Sequence, residues 1–182
     1  MDRTKITKTV LIALFAALIA VGAFIRIPIP PVPITLQTLF TLVSALLLPL
    51  SVSLPSVLVY LFLGIIGLPI FTSGGGLAAV TGPTGGYLIG LIPAVIVGGL
   101  MVRGDKTRPL WYYLLASFIA TVALYIPGLF WLGYSRHLTL SQTIAGGLTP
   151  FIVGDVLKMA VSSLVAYKLR PQVLTMLKGD NE

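Results

Sequence analysis

Gly154-Asp155-Val156-Leu157-Lys158 sets two opposite charges inside an otherwise apolar run from Pro150 to Tyr167. Three residues apart on a helix, Asp155 and Lys158 share a face. Each charge at membrane depth costs roughly 2.5 to 3.5 kcal/mol on insertion scales, and more against lipid, so the pair must look inward. Two chemistries are open to it. One is a structural ion pair between helices. The other is a ligand anchor in which the carboxylate accepts hydrogen bonds and the ammonium donates them. Charges inside a membrane mark substrate and ion paths, which favours the anchor.

Weaker polar signals accompany the pair. Gln37, Thr41 and Ser44 recur at helical spacing in an apolar segment and form a polar stripe, open either to a pocket or to hydrogen bonds with neighbouring helices and their own carbonyls. The stretch from Gly67 to Gly86 carries no charge and holds Gly74-Gly75-Gly76, where missing side chains let backbone amides and carbonyls approach a ligand. A loop of this length is usually functional. No Gly-Lys-Ser/Thr follows its glycines, so it is not a nucleotide-binding P-loop.

These residues sit in a chain of 182 residues that is 57% hydrophobic and 9% charged, the composition of a membrane protein. At about 20 apolar residues per span, residues 1–182 make one transmembrane domain with no sizeable soluble part. There is no cysteine and one histidine, His137, so neither a disulfide, a thiolate nucleophile nor a metal cluster is expected. The net charge of +7 lies in loops and tails without interleaved aromatics, which points to insertion topology rather than nucleic acid.

The positioning elements read as six helices. Thr9 to Ile25 is the first, too long for a signal peptide, with a stripe of small residues at Ala13, Ala16, Ala17 and Ala20 that allows close approach. Arg26 to Pro33 is a stiff extended loop. The apolar stretch after it divides near Pro49 and Pro55 into helices Leu36 to Leu50 and Leu54 to Ile66. Tyr87 to Met101 is the fourth helix, its Gly86, Gly90, Ala94 and Gly98 stripe packed inside the bundle. Leu110 to about Trp131 is the fifth, with Trp111 and Trp131 roughly 30 Å apart, one in each interfacial belt. Thr149 and Pro150 begin the sixth, which runs to about Lys168 before a short basic tail. Nine Lys or Arg fall on the side of the two tails, against Arg26 and Arg136 on the other. Both termini are therefore expected in the cytoplasm, and the glycine-rich loop between helices three and four faces outside. Asp155 then lies about 8 Å below the outer end of its helix.

Gly82-Pro83-Thr84-Gly85-Gly86-Tyr87-Leu88 after the glycine-rich loop, together with Gly154-Asp155-Val156-Leu157-Lys158 on the last helix, resembles the BioY family, the biotin-binding S components of energy-coupling factor (ECF) transporters. The small stripe from Ala13 to Ala17, continued at Ala20, looks like the alanine motif by which such components dock on the coupling subunit. The resemblance implies a six-helix bundle in a prokaryotic cell membrane that takes biotin from outside. It implies no ATPase activity and no cofactor, energy coming from two ATPase subunits and the coupling subunit. Asp155 would accept the ureido N–H groups, and Lys158 would donate to the ureido carbonyl or the carboxylate. Gly74, Gly75, Gly76, Thr81, Thr84 and Tyr87 would close the pocket, with Gln37 and Thr41 as further candidates.

Other readings are an S component for thiamin or riboflavin, a membrane hydrolase using Asp155 as base, and a proton-coupled secondary carrier. The first needs more aromatic stacking than Tyr87 and Phe71 offer. The second lacks a Ser/His or paired-carboxylate constellation. The third lacks paired repeats.

Overall fold

Apolar runs in lipid must satisfy their own backbone groups, and this chain does so almost entirely with helices. The structure, a computed structural model, describes residues 3–104 and 108–178. Lys106 and the two chain ends, on which part of the expected orientation rests, lie outside the described residues. The helices are α1 (Arg3–Phe24), α2 (Gln37–Leu47), α3 (Leu50–Ile65), α4 (Leu77–Thr81), α5 (Gly85–Met101), α6 (Leu110–Arg136), α7 (Leu140–Gly147) and α8 (Ile152–Lys178). A 3-10 turn, Thr149–Phe151, joins the last two. Among the described residues α1, α6 and the stretch Leu140–Leu177 are long and apolar enough to cross a membrane, while α2, α3 and α5 are shorter apolar helices.

α2 is the centre of the bundle and packs against α1, α3, α5, α6 and α8. The closest pair is α5 with α6, and the small stripe explains it. A Cβ on Gly86 would stand 2.3 Å from the Pro127 carbonyl oxygen, and one on Gly90 would stand 2.5 Å from that of Leu124. Hydrogen side chains there let two backbones touch.

Several boundaries depart from the sequence expectation. α3 begins at Leu50 rather than Leu54, because the Pro49 carbonyl accepts the amides of Val52 (2.9 Å) and Ser53 (3.0 Å) and so opens the helix four residues earlier. Pro55 is inside the helix. The stretch after α1 is not simply extended: β1 (Arg26–Ile27) pairs antiparallel with β2 (Ile34–Thr35), Arg26 opposite Thr35. The glycine-rich loop contains α4, and its backbone is tied down by Phe71 and Gly74, which exchange bonds of 2.8 and 3.1 Å, and by Gly76 N to Gly64 O at 2.7 Å. Gly74 (φ 106°) and Gly76 (φ 80°) adopt backbone angles that side-chain-bearing residues rarely reach. The fifth apolar run continues past Trp131 to Arg136, and Trp131 Nε1 donates to the Gly82 carbonyl at 2.9 Å, pinning the end of the loop. α7 was not expected; Thr139 and Gln142 open it with a reciprocal capping box.

The expected basic tail is instead the last turns of α8. Arg170 is 3% exposed and donates to the carbonyls of Leu46 (2.9 Å), Leu48 (3.3 Å) and Val102 (2.7 Å). Helix C-termini leave carbonyls without amide partners and carry negative dipole ends, and one guanidinium serves the ends of both α2 and α5.

Candidate functional site

α8 presents Asp155 in its first turn and Lys158 one turn later, 7% and 6% exposed. Lys158 Nζ donates to Asp155 Oδ1 at 3.1 Å. Because α6 packs on α8, Tyr125 reaches the same carboxylate, and its hydroxyl donates to Oδ2 at 2.5 Å. Each carboxylate oxygen thus carries one donor. A carboxylate has about four acceptor positions and an ammonium three protons. Among the described residues the pair therefore keeps unused acceptor and donor capacity, held in a buried setting.

That capacity faces a cavity of about 50 Å³, bordered on its polar side by Gln37, Thr38, Thr84, Asp155 and Lys158. An aromatic cluster forms the other wall. Tyr87 meets Tyr125 edge-on with centroids 5.9 Å apart, and lies nearly parallel to Phe151 at 6.4 Å. Tyr87 is fixed from its far end, since its hydroxyl donates to the Gly147 carbonyl at 2.8 Å and so ties α5 to α7. Gln37 is held by Tyr60, with Nε2 donating to the phenol oxygen at 2.5 Å, and Tyr60 in turn donates to the Ile70 carbonyl at 3.3 Å. A second void of about 10 Å³ lies behind Asp155, bordered by Thr38, Thr41, Thr121 and Tyr125.

The hydroxyls of Thr38, Thr41 and Thr84 are buried and have no hydrogen-bond partner among the described residues. Such groups normally find one, so three in one neighbourhood mark a place prepared for a polar guest or for water. The carboxylate is already oriented by a cation and a phenol, and no metal-binding group of His, Cys, Asp or Glu exists among the described residues.

Of the residues singled out in the sequence, Asp155, Lys158, Gln37, Thr84 and Tyr87 line the cavity beside the ion pair, and Thr41 lines the smaller void. Gly74, Gly75, Gly76 and Thr81 line neither. The glycines shape the turn described above, and the Thr81 hydroxyl turns back to the Leu77 carbonyl at 3.1 Å. Thr72 also reaches the cavity from that loop, beside Thr84, and its carbonyl accepts a hydrogen bond from Arg26 Nη1, linking the β1–β2 hairpin to the loop. Sequence reasoning missed Tyr125, Thr38 and Phe151. Thr38 adjoins the polar stripe of α2, but nothing local distinguishes Tyr125 or Phe151 from packing aromatics. On α1, Ala13 and Ala17 are exposed, Ala20 is half-buried against the core, and Ala16 faces inward at 5% exposure.

With this geometry in view, comparison with known proteins gives a consistent picture. A family model described as the BioY family matches residues 1–175. The biotin transporter BioY of Thermotoga maritima is 40% identical over 159 residues, covering 86% of this chain and 92% of the relative. A probable biotin transporter BioY of Pyrococcus horikoshii is 38% identical over 167 residues, covering 91% and 98%. Among solved structures, the crystal structure at 2.1 Å of the S-component for biotin from an ECF-type ABC transporter superposes with a TM-score of 0.85 at 27% identity, covering 93% of this chain and 94% of that one.

Proposed function

Since the chain belongs to the BioY family, of transporters rather than enzymes, we propose that it captures biotin at the outer face of a prokaryotic cell membrane as the S component of an ECF transporter. Two ATPase subunits and a coupling subunit energise uptake. The observation that carries this reading is the buried Asp155–Lys158 pair, oriented by Tyr125, with hydrogen-bonding capacity left over at an aromatic-walled cavity. Biotin offers an apolar thioether ring, a ureido group with two N–H donors and one carbonyl, and a carboxylate tail. Asp155 accepts the ureido N–H groups through charge-assisted bonds, roughly twice as strong as neutral ones. Lys158 donates to the ureido carbonyl or the carboxylate. Thr38 and Thr84 supply the unpaired hydroxyls, and Tyr87, Tyr125 and Phe151 face the ring. At roughly 10 to 15 Å³ of probe-filled space per water, a void of about 50 Å³ holds a few waters for biotin to displace. Gly74, Gly75, Gly76 and Thr81 act indirectly, by holding Thr72 and Thr84 in the wall.

Topologically, α1, α2, α3, α5, α6 and α8 are the six spans, with α4, α7 and the β1–β2 hairpin on the outer side and both termini inside. Ala13 and Ala17, exposed on α1, with Ala20 at the edge of the stripe, form the docking face for the coupling subunit. The three-ring cluster also favours a second reading, an S component for another vitamin, because it supplies the stacking faces that Tyr87 and Phe71 alone would not. Titration of the purified chain with biotin, thiamin and riboflavin separates the two. Biotin binding tightly and alone is the expected result.

A further inference from the structure

At the opposite end of the bundle lies a cavity that the recognition site does not use. α8 runs 19 residues from Asp155 to Leu174, about 28 Å at 1.5 Å per residue, and its last turns meet the start of α1, the α2–α3 junction and the end of α5 around a space of about 690 Å³. Three cations border it, Lys8, Arg103 and Arg170. Arg170 is committed to the helix-end carbonyls. Lys8 and Arg103 form no ion pair with a described residue; the one such pair seen is Asp155 with Lys158. The rest of the wall is largely apolar, including Leu54, Leu100 and Leu174, and Leu100 is 49% exposed on the outside of the bundle.

This combination is selective. A small soluble anion would pair the cations but leave the leucine wall against water, and an acyl chain alone would cover the leucines but leave the cations unpaired. A zwitterionic lipid brings its own cation to the same place. We propose that the cavity binds an anionic phospholipid, its phosphate held by Lys8 and Arg103 and one acyl chain lying along the leucine wall past Leu100. Basic pockets between helices at the charged face of a membrane have the right chemistry for such headgroups. Its size falls within the 300 to 1,000 Å³ range usual for ligand sites. The inference rests on the membrane fold and not on the identity of the transported vitamin.

The test uses the full chain in detergent, offered equal amounts of phosphatidylglycerol and phosphatidylcholine, with retained lipid counted by native mass spectrometry. Each surface cation is worth roughly a fivefold change in affinity, the equivalent of about 1 kcal/mol. The wild type should therefore retain phosphatidylglycerol preferentially, and K8Q/R103Q should weaken its binding by about 20- to 30-fold. Thermal unfolding in lipid-free detergent should be the same for both, which separates a lost site from a lost fold. Equal retention of the two lipids would overturn the proposal, as would an undiminished preference in the double variant. Inorganic phosphate competing as well as phosphatidylglycerol would show a free-anion site and overturn it too. So would a double variant that keeps the lipid preference but no longer assembles with a coupling subunit, since the cations would then serve a protein surface.

Discussion

Tyr125→Phe removes one atom from the recognition site, and the consequence follows from the geometry. The ring stays, so its contacts with Tyr87 and Phe151, at 5.9 and 6.5 Å, are preserved and no cavity of consequence opens. What disappears is the donor to Asp155 Oδ2. A hydrogen bond to a charged group is worth about 1.5 to 3 kcal/mol, or roughly 10- to 150-fold if fully expressed in binding. The neighbouring void admits water, which restores part of the loss, so the expected weakening of biotin binding is near the lower figure, about tenfold. Tyr125 acts by holding the carboxylate, so its effect must depend on Asp155 being present. Isothermal titration of Tyr125→Phe, Asp155→Asn and the double variant forms the cycle. In the Asp155→Asn background the tyrosine change should cost less than about threefold. An equal loss in both backgrounds would refute this reasoning and make Tyr125 an independent ligand contact or a packing residue.

Ala13→Trp on the exposed face of α1 should abolish biotin uptake in cells while leaving the affinity of the purified chain unchanged; a matching fall in affinity would assign the stripe to internal packing. Arg170→Met should lower the unfolding midpoint sharply, a loss of more than about 3 kcal/mol, because the carbonyls of Leu46, Leu48 and Val102 lose a buried partner; a shift of a degree or two would contradict that role. A reporter fused after Glu182 should be active only in the cytoplasm if the six-span topology holds, and activity solely outside would reverse the orientation.

Much of this architecture could be read from residues whose cost leaves no alternative. Asp155 and Lys158 stood out because charge inside an apolar run must face inward, and the Gly86, Gly90, Ala94 and Gly98 stripe because small residues at four-residue spacing permit backbone contact. Arg170 looked like a topogenic charge in a tail, since its partners lie 68 to 124 residues away and no local pattern announces them. Tyr125 was hidden for the same reason, 30 residues from the carboxylate it holds. Gly74 to Gly76 illustrate an ambiguity in glycine itself: backbone freedom serves a tight turn as well as a ligand, and the positive φ angles here serve the turn. α7 was legible in principle, because Thr139 and Gln142 have capping-box spacing, but eight residues are too few for a span.

Asp155 and Lys158, paired with each other at 3.1 Å, are expected to bind the transported ligand as well. Biotin titration and thermal unfolding of Asp155→Asn, Lys158→Met and the double variant test it most directly. Asp155→Asn should remain folded and bind biotin roughly ten- to a hundredfold more weakly, Lys158→Met should behave similarly, and the double variant should not recover. A structural pair behaves otherwise, because removing one partner leaves a buried charge uncompensated at about 3 to 5 kcal/mol and removing both relieves it. Near wild-type affinity in the single variants with a large loss of melting temperature, restored in the double variant, would contradict a ligand role for the pair.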